Sequence, residues 1–166
     1  MKRKILSSFM ALIMIISFIP VTSLATGEQE MAGDAFLATA EEGVIELSGD
    51  VVLTSTAEIS GDLTIQLNGH KISISQNKTV FSVSGEANLK IVGPGTVEGY
   101  QINDRNNMSA AIECYADSAV ANITIDTATV SGGSVYKTED SKSSGNEASE
   151  AITFKSQGTL TILESE

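Results

Sequence analysis

The chain has no tryptophan, one cysteine, one histidine and two prolines in 166 residues. Each shortage removes a class of explanation. Cys114 cannot close an internal disulfide, so the core must hold without a covalent staple. One histidine and one cysteine cannot supply the clustered ligands of a zinc site. Without tryptophan, and with aromatics at only 5% of the chain, the sequence offers no evident platform for stacking sugar rings. Basic residues are also scarce: 10 Lys+Arg stand against 21 Asp+Glu, a formal net charge of −11. Such a surface repels nucleic acid and anionic lipid, so no nucleic-acid partner is expected. An acidic polysaccharide would be a poor electrostatic match unless a cation bridged the two.

What is present begins with a leader. Lys2, Arg3 and Lys4 precede a nearly unbroken apolar run over residues 5–19, Pro20 breaks it, and Ser23-Leu24-Ala25 places small residues before a cleavage point. This is the pattern of a secretory signal peptide over residues 1–25. The run is short for a membrane span, which takes about 20 residues, so no membrane association is expected after cleavage and the location is secreted or cell-surface. The leader carries three basic residues and no acidic one. Its removal leaves seven Lys+Arg against 21 Asp+Glu, a net charge of −14.

Residues 26–43 read as a linker and an N-terminal cap helix. Asp34 is placed to cap it, Ala35, Phe36, Leu37, Ala38 and Ala40 form an apolar side, and Gly43 ends it. From Val44 to the end, helix signals disappear. Short runs of Val, Ile, Thr and Leu alternate with Gly, Asn, Asp and Ser, which is the signature of strands and turns.

The runs repeat. Leu63-Thr64-Ile65, Leu89-Lys90-Ile91, Ile123-Thr124-Ile125 and Leu160-Thr161-Ile162 share one pattern, at successive spacings of 26, 34 and 37 residues. The last three are each preceded by a second alternation: Phe81-Ser82-Val83, Ile112-Glu113-Cys114 and Ile152-Thr153-Phe154. The extra length comes from two polar insertions near residues 101–109 and 137–149, and without them a unit is about 25 residues, which suits one turn of a solenoid. A single turn cannot bury its inward side chains. Stacking would align Leu63, Leu89, Ile123 and Leu160 in one aliphatic row and Ile65, Ile91, Ile125 and Ile162 in the next. The competing reading is an antiparallel sandwich, because Asn68-Gly69 between alternating runs is a strong type I′ hairpin signal. The next repeat carries Gly93-Pro94-Gly95 at that point and the one after it runs on through Thr127 to Val130, whereas a hairpin would need comparable turn chemistry each time.

The stretches DAFLATAEEG (34–43), VIELSGDV (44–51), LTIQLNGHKI (63–72) and LKIVGPGTV (89–97) resemble pectate-lyase-like β-helix proteins, and in particular the repeat regions of surface proteins from Gram-positive bacteria. The resemblance covers most of the chain beyond the leader. It implies an all-β fold, a right-handed parallel β-helix (solenoid) over residues 44–166, with the short leading helix capping its first coil. The family's catalytic residues do not carry over. Pectate lyases use an arginine base and acidic Ca²⁺ ligands on one sheet, whereas Arg105 is the only arginine beyond the leader. The clustered aspartates and Gly-His-Gly of polygalacturonase-type hydrolases are missing.

The candidate contact residues are therefore in the insertions: Tyr100, Arg105 and Asn106 on the first, Tyr136 on the second, because loops on a rigid scaffold are frequent binding sites. No catalytic and no metal-ligating residue is assigned. His70 reads as a solvated turn residue and Cys114 as a small buried hydrophobe. Asp62, Asp104, Asp117 and Asp126 are the acids that could pair across coils for glycoside hydrolysis, and they read instead as scattered acids of an acidic chain, Asp62 as part of a turn. The acidic charge leaves room for Ca²⁺, with no ligand set to name. No cap follows the strand at Leu160, so an open edge is expected there, to be met by further coils or a partner chain, and the domain reads as truncated at its C-terminus. The expected function is a non-enzymatic structural or adhesive module, with a polysaccharide or a cell-wall or host glycan as partner. The alternative is the N-terminal part of a polysaccharide lyase or glycoside hydrolase whose catalytic coils lie downstream.

Overall fold

The computed structural model describes residues 27–100, 109–116, 119–133 and 150–163. The leader read over residues 1–25 lies outside them.

Among the described residues fourteen strands form three sheets. The first contains β1 (Gln29–Met31), β3 (Val51–Leu53), β6 (Lys71–Ile74), β9 (Thr96–Glu98) and β12 (Thr129–Ser131) in that lateral order. The second contains β4 (Ala57–Ile59), β7 (Phe81–Val83), β10 (Ile112–Ala116) and β13 (Ile152–Ser156). The third contains β2 (Val44–Glu46), β5 (Asp62–Gln66), β8 (Ala87–Val92), β11 (Ala121–Asp126) and β14 (Leu160–Leu163). Every pairing between these strands is parallel. From β3 onward the chain visits first, second and third sheet in fixed rotation, so each strand pairs with the one three places later.

Alternation explains why this arrangement is stable. In a strand successive side chains face opposite sides, and β11 alternates buried and half-buried residues along its length. The inward residues form rows across the pairings. Leu63, Leu89, Ile123 and Leu160 are in register, as are Ile45, Ile65, Ile91, Ile125 and Ile162. Both expected rows are therefore present. The second sheet adds Ala57, Phe81, Ile112 and Ile152, then Ile59, Val83, Cys114 and Phe154. All belong to or pack against one hydrophobic cluster except Ile162, which is 65% exposed on the outer strand β14. Burial at about 25 cal/mol per Å² of apolar surface is the main stabilising term.

The Asn68-Gly69 turn does not make a hairpin. Both residues have positive φ, +51° and +86°, as the turn chemistry demands. The flanking strands nevertheless enter different sheets, β5 the third and β6 the first. The turn's polar groups are taken by neighbours before and after it: Asn68 Nδ2 donates to the Leu47 carbonyl (3.1 Å) and Gly69 N to the Pro94 carbonyl (2.6 Å). The chain turns a corner there, and an antiparallel sandwich is excluded for these strands.

Three details differ from the sequence reading. Asp62, read as part of a turn, is the first residue of β5 and pairs with Asn88. The helix α1 spans Gly33–Leu37, and its N-cap is Ala32, with no side-chain cap. Asp34 lies inside the first turn and accepts from the Ala35 N–H, while the N–H of Gly33 is satisfied by Ser55 Oγ at 3.0 Å. The helix end is instead fixed tertiarily, by a close approach in which any Cβ on Gly33 would strike the Thr56 carbonyl oxygen. β1 is a strand where only linker was expected. Gln29-Glu30-Met31 carries no apolar alternation, and it is held by pairing with β3.

α1 falls between β1 and β2, where the rotation would otherwise place a strand of the second sheet, and it packs against β4. Phe36 is its anchor: the side chain is 1% exposed and its ring lies 6.1 Å from that of Phe81.

Candidate functional site

The connections between strands are unequal, and their inequality is confined to one corner. From the third sheet to the first the chain crosses by 47–50, 67–70, 93–95 and 127–128, and from the second to the third by connections of two to four residues. From the first sheet to the second it crosses by 54–56, then 75–80, then 99–111, then 132–151. The two polar insertions read in the sequence thus arise at the same corner in consecutive rounds.

The roots of these connections are tied together by backbone. Ala57 N donates to the Val80 carbonyl, Val80 N and Phe81 N to that of Ala111, and Ile112 N to that of Ala151, at 3.0–3.1 Å. On the departing side Gly99 N donates to the Ser131 carbonyl at 2.8 Å. A Cβ on Gly99 would come within 2.5 Å of Gly133 N, so the two departing segments run in contact. Thr56 Oγ1 donates to the Thr79 carbonyl (2.7 Å), and Thr153 Oγ1 to Glu150 Oε2 (2.8 Å). Of the candidate contact residues, Tyr100 is half-buried against the edge of the core at this corner. Arg105, Asn106 and Tyr136 lie outside the described residues.

A second polar feature runs along the outward face of the third sheet. Asn88 Nδ2 donates to Asp62 Oδ1 (2.6 Å), Asn122 Nδ2 to Asn88 Oδ1 (2.8 Å), and the Thr159 N–H to Asn122 Oδ1 (2.9 Å). The ladder has a direction, and an ionised Asp62, which can only accept, terminates it. One row over, Lys90 Nζ lies 3.2 Å from Asp126 Oδ2. Asp62 and Asp126, two of the carboxylates weighed for glycoside hydrolysis, are thus engaged with an amide and an ammonium. Asp104 and Asp117 fall outside the described residues. The ladder escaped the sequence reading, although Ala87-Asn88-Leu89 and Ala121-Asn122-Ile123 carry its signal: the same amide one place ahead of each aliphatic row.

His70 lines a recess of about 190 Å³ with Gly27, Glu28, Ser48, Gly49 and Asp50. Its Nδ1 is 3.5 Å from Asp50 Oδ1, and that oxygen accepts from the Lys71 N–H at 3.0 Å. A larger recess of about 530 Å³ is lined by Thr39, Glu41, Glu42, Val44 and Glu46. Among the described residues no three His, Cys, Asp or Glu side chains converge as metal ligands, and no helix is long and apolar enough to cross a membrane. Cys114 is fully buried. Burial pushes its thiol above the ordinary value, and a backbone hydrogen bond from Lys155 opposes that only in part.

No protein-family model, curated protein or solved structure matches this chain.

Proposed function

We propose that the chain is an exported, right-handed parallel β-helix that acts outside the cell as a structural and adhesive module, and that it holds a polysaccharide or a cell-wall or host glycan at the corner where its long connections arise. The three-sheet rotation supports the helical reading, since parallel strands joined by crossovers in one sheet are right-handed in nearly all cases. The apolar leader of residues 1–25 supports export. The binding role rests on one observation: the connections at 99–111 and 132–151 leave from one corner in consecutive rounds, with their roots in contact. Scaffold rigidity and clustered loops are the usual ingredients of a recognition surface.

The net negative charge selects among ligands. Neutral glycans approach without penalty, whereas acidic ones need a bridging cation such as Ca²⁺. A glycan array probed with the chain beyond its leader, with and without Ca²⁺, tests the proposal. Retention of a defined glycan class that is lost on replacing Tyr100 by Ala supports it. Binding to nothing under either condition removes the adhesive role, and depolymerisation of a pectin-like substrate by the chain alone overturns the non-enzymatic reading.

A further inference from the structure

Asn68-Gly69 is the only Asn-Gly pair in the sequence. Asparagine followed by glycine is chemically labile. The backbone nitrogen of the glycine, having lost its proton, can attack the side-chain carbonyl carbon Cγ. The Cγ–Nδ2 bond then breaks and the amide nitrogen leaves as ammonia, so that a five-membered imide remains. Water adds to one of the two imide carbonyls, and ring opening yields aspartate or isoaspartate. Glycine permits this because no Cβ hinders the approach. Asn68 is exposed and therefore reachable by water.

The fold separates the two reacting groups. The nucleophile, Gly69 N, spends its hydrogen on the Pro94 carbonyl at 2.6 Å in the following round. The electrophile is held through Nδ2 on the Leu47 carbonyl at 3.1 Å in the preceding round. The two partners lie on opposite sides of the corner, so closing the ring requires both hydrogen bonds to break and the corner to leave its neighbours. That corner is anchored by Leu67, fully buried, and by the His70 N–H on the Leu67 carbonyl at 2.8 Å. The next corner presses directly on it, since a Cβ on Gly95 would come within 2.5 Å of both Leu67 Cβ and the His70 carbonyl oxygen.

We propose that Asn68 is a gated deamidation site, kept intact by the stacking of the 47–50, 67–70 and 93–95 corners and converted to aspartate or isoaspartate when they separate. The product cannot simply restack. Both outcomes remove the Nδ2 donor to Leu47, and isoaspartate also lengthens the main chain by one carbon at a turn with two successive positive φ angles. Opening at this corner is thereby made irreversible, which places a chemical limit on the lifetime of the folded chain.

The experiment follows the mass and isoaspartate content of the peptide containing residues 68–69 during incubation of the whole chain at mildly alkaline pH, in buffer and in urea. Loss of the Asn68 amide should be at least about tenfold slower in buffer, the factor that corresponds to an opening cost of about 1.4 kcal/mol. Asn88 and Asn122, each followed by a branched residue, should persist in both conditions. G95A should speed the loss in buffer and leave the rate in urea unchanged. Equal rates in buffer and urea overturn the gate, no loss in urea overturns the reactivity, and a wild-type rate for G95A in buffer overturns the part assigned to the 93–95 corner.

Discussion

Cys114 shares an in-register row with Ile59, Val83 and Phe154, and its burial has a consequence for pH. The folded state holds the thiol neutral to higher pH than the unfolded chain does, because desolvation raises its pKa. Above the ordinary thiol pKa the unfolded chain has lost this proton while the folded one retains it, so the unfolded state binds fewer protons and stability falls as pH rises. C114A abolishes that titration. The stability difference between wild type and C114A, measured by urea unfolding, should therefore shift in favour of C114A as pH climbs through the thiol range. A difference independent of pH there would contradict the burial.

Some single residues were legible from sequence and others were not, for one reason. Inward positions such as Leu89, Ile91, Ile123 and Ile125 follow from alternation, because burial depends on the residue's own chemistry and on period two. Asn88, Asn122 and the Asp50–His70 contact depend on which residue lies opposite in the neighbouring round, and that is set by the register. Register could be inferred only where a repeat was recognised. The insertions are legible in the sequence, with Tyr100 read as part of the first, but its place at the root and the meeting of the two insertions at a common corner follow only from the strand order.

At the scale of elements, α1 and β14 show opposite situations. α1 takes a strand's place beside β4 and inserts Phe36, 1% exposed, against Phe81. β14 is the outer strand of its sheet among the described residues and leaves Ile162 65% exposed. Truncation should register very differently at the two. F36A should cost about 3–5 kcal/mol, the range for a buried aromatic, whereas I162A should stay within about 0.5 kcal/mol, as surface changes do. Paired urea melts would check this, and comparable losses in the two variants would mean that α1 does not cover the core as described. The start of the helix is set by tertiary contacts rather than by local sequence. Asp34 has the chemistry of an N-cap, yet Gly33 and Ser55 fix the helix start through a tertiary approach that no local motif announces. β1 was missed for the same reason, its strand state being imposed by β3.

At the scale of the whole molecule, everything rests on the rotation of the chain through three parallel sheets in register. The Asn68-Gly69 corner shows why sequence alone left two architectures open. Its turn chemistry is that of a hairpin, and only the capture of its polar groups by Leu47 and Pro94 converts it to a corner between sheets. The outward row Val44, Thr64, Lys90, Thr124 and Thr161 crosses five successive strands of the third sheet and provides a ruler. Spin labels placed in pairs, one at position 44 and the other at 64, 90, 124 or 161 in a C114A background, would give electron–electron distances along it. With strands about 4.8 Å apart, the separation should grow at each step, reaching roughly 19 Å plus the reach of the labels for the last pair. A series that fails to increase in this order, with position 124 or 161 nearer to 44 than position 90 is, would contradict the stacked arrangement.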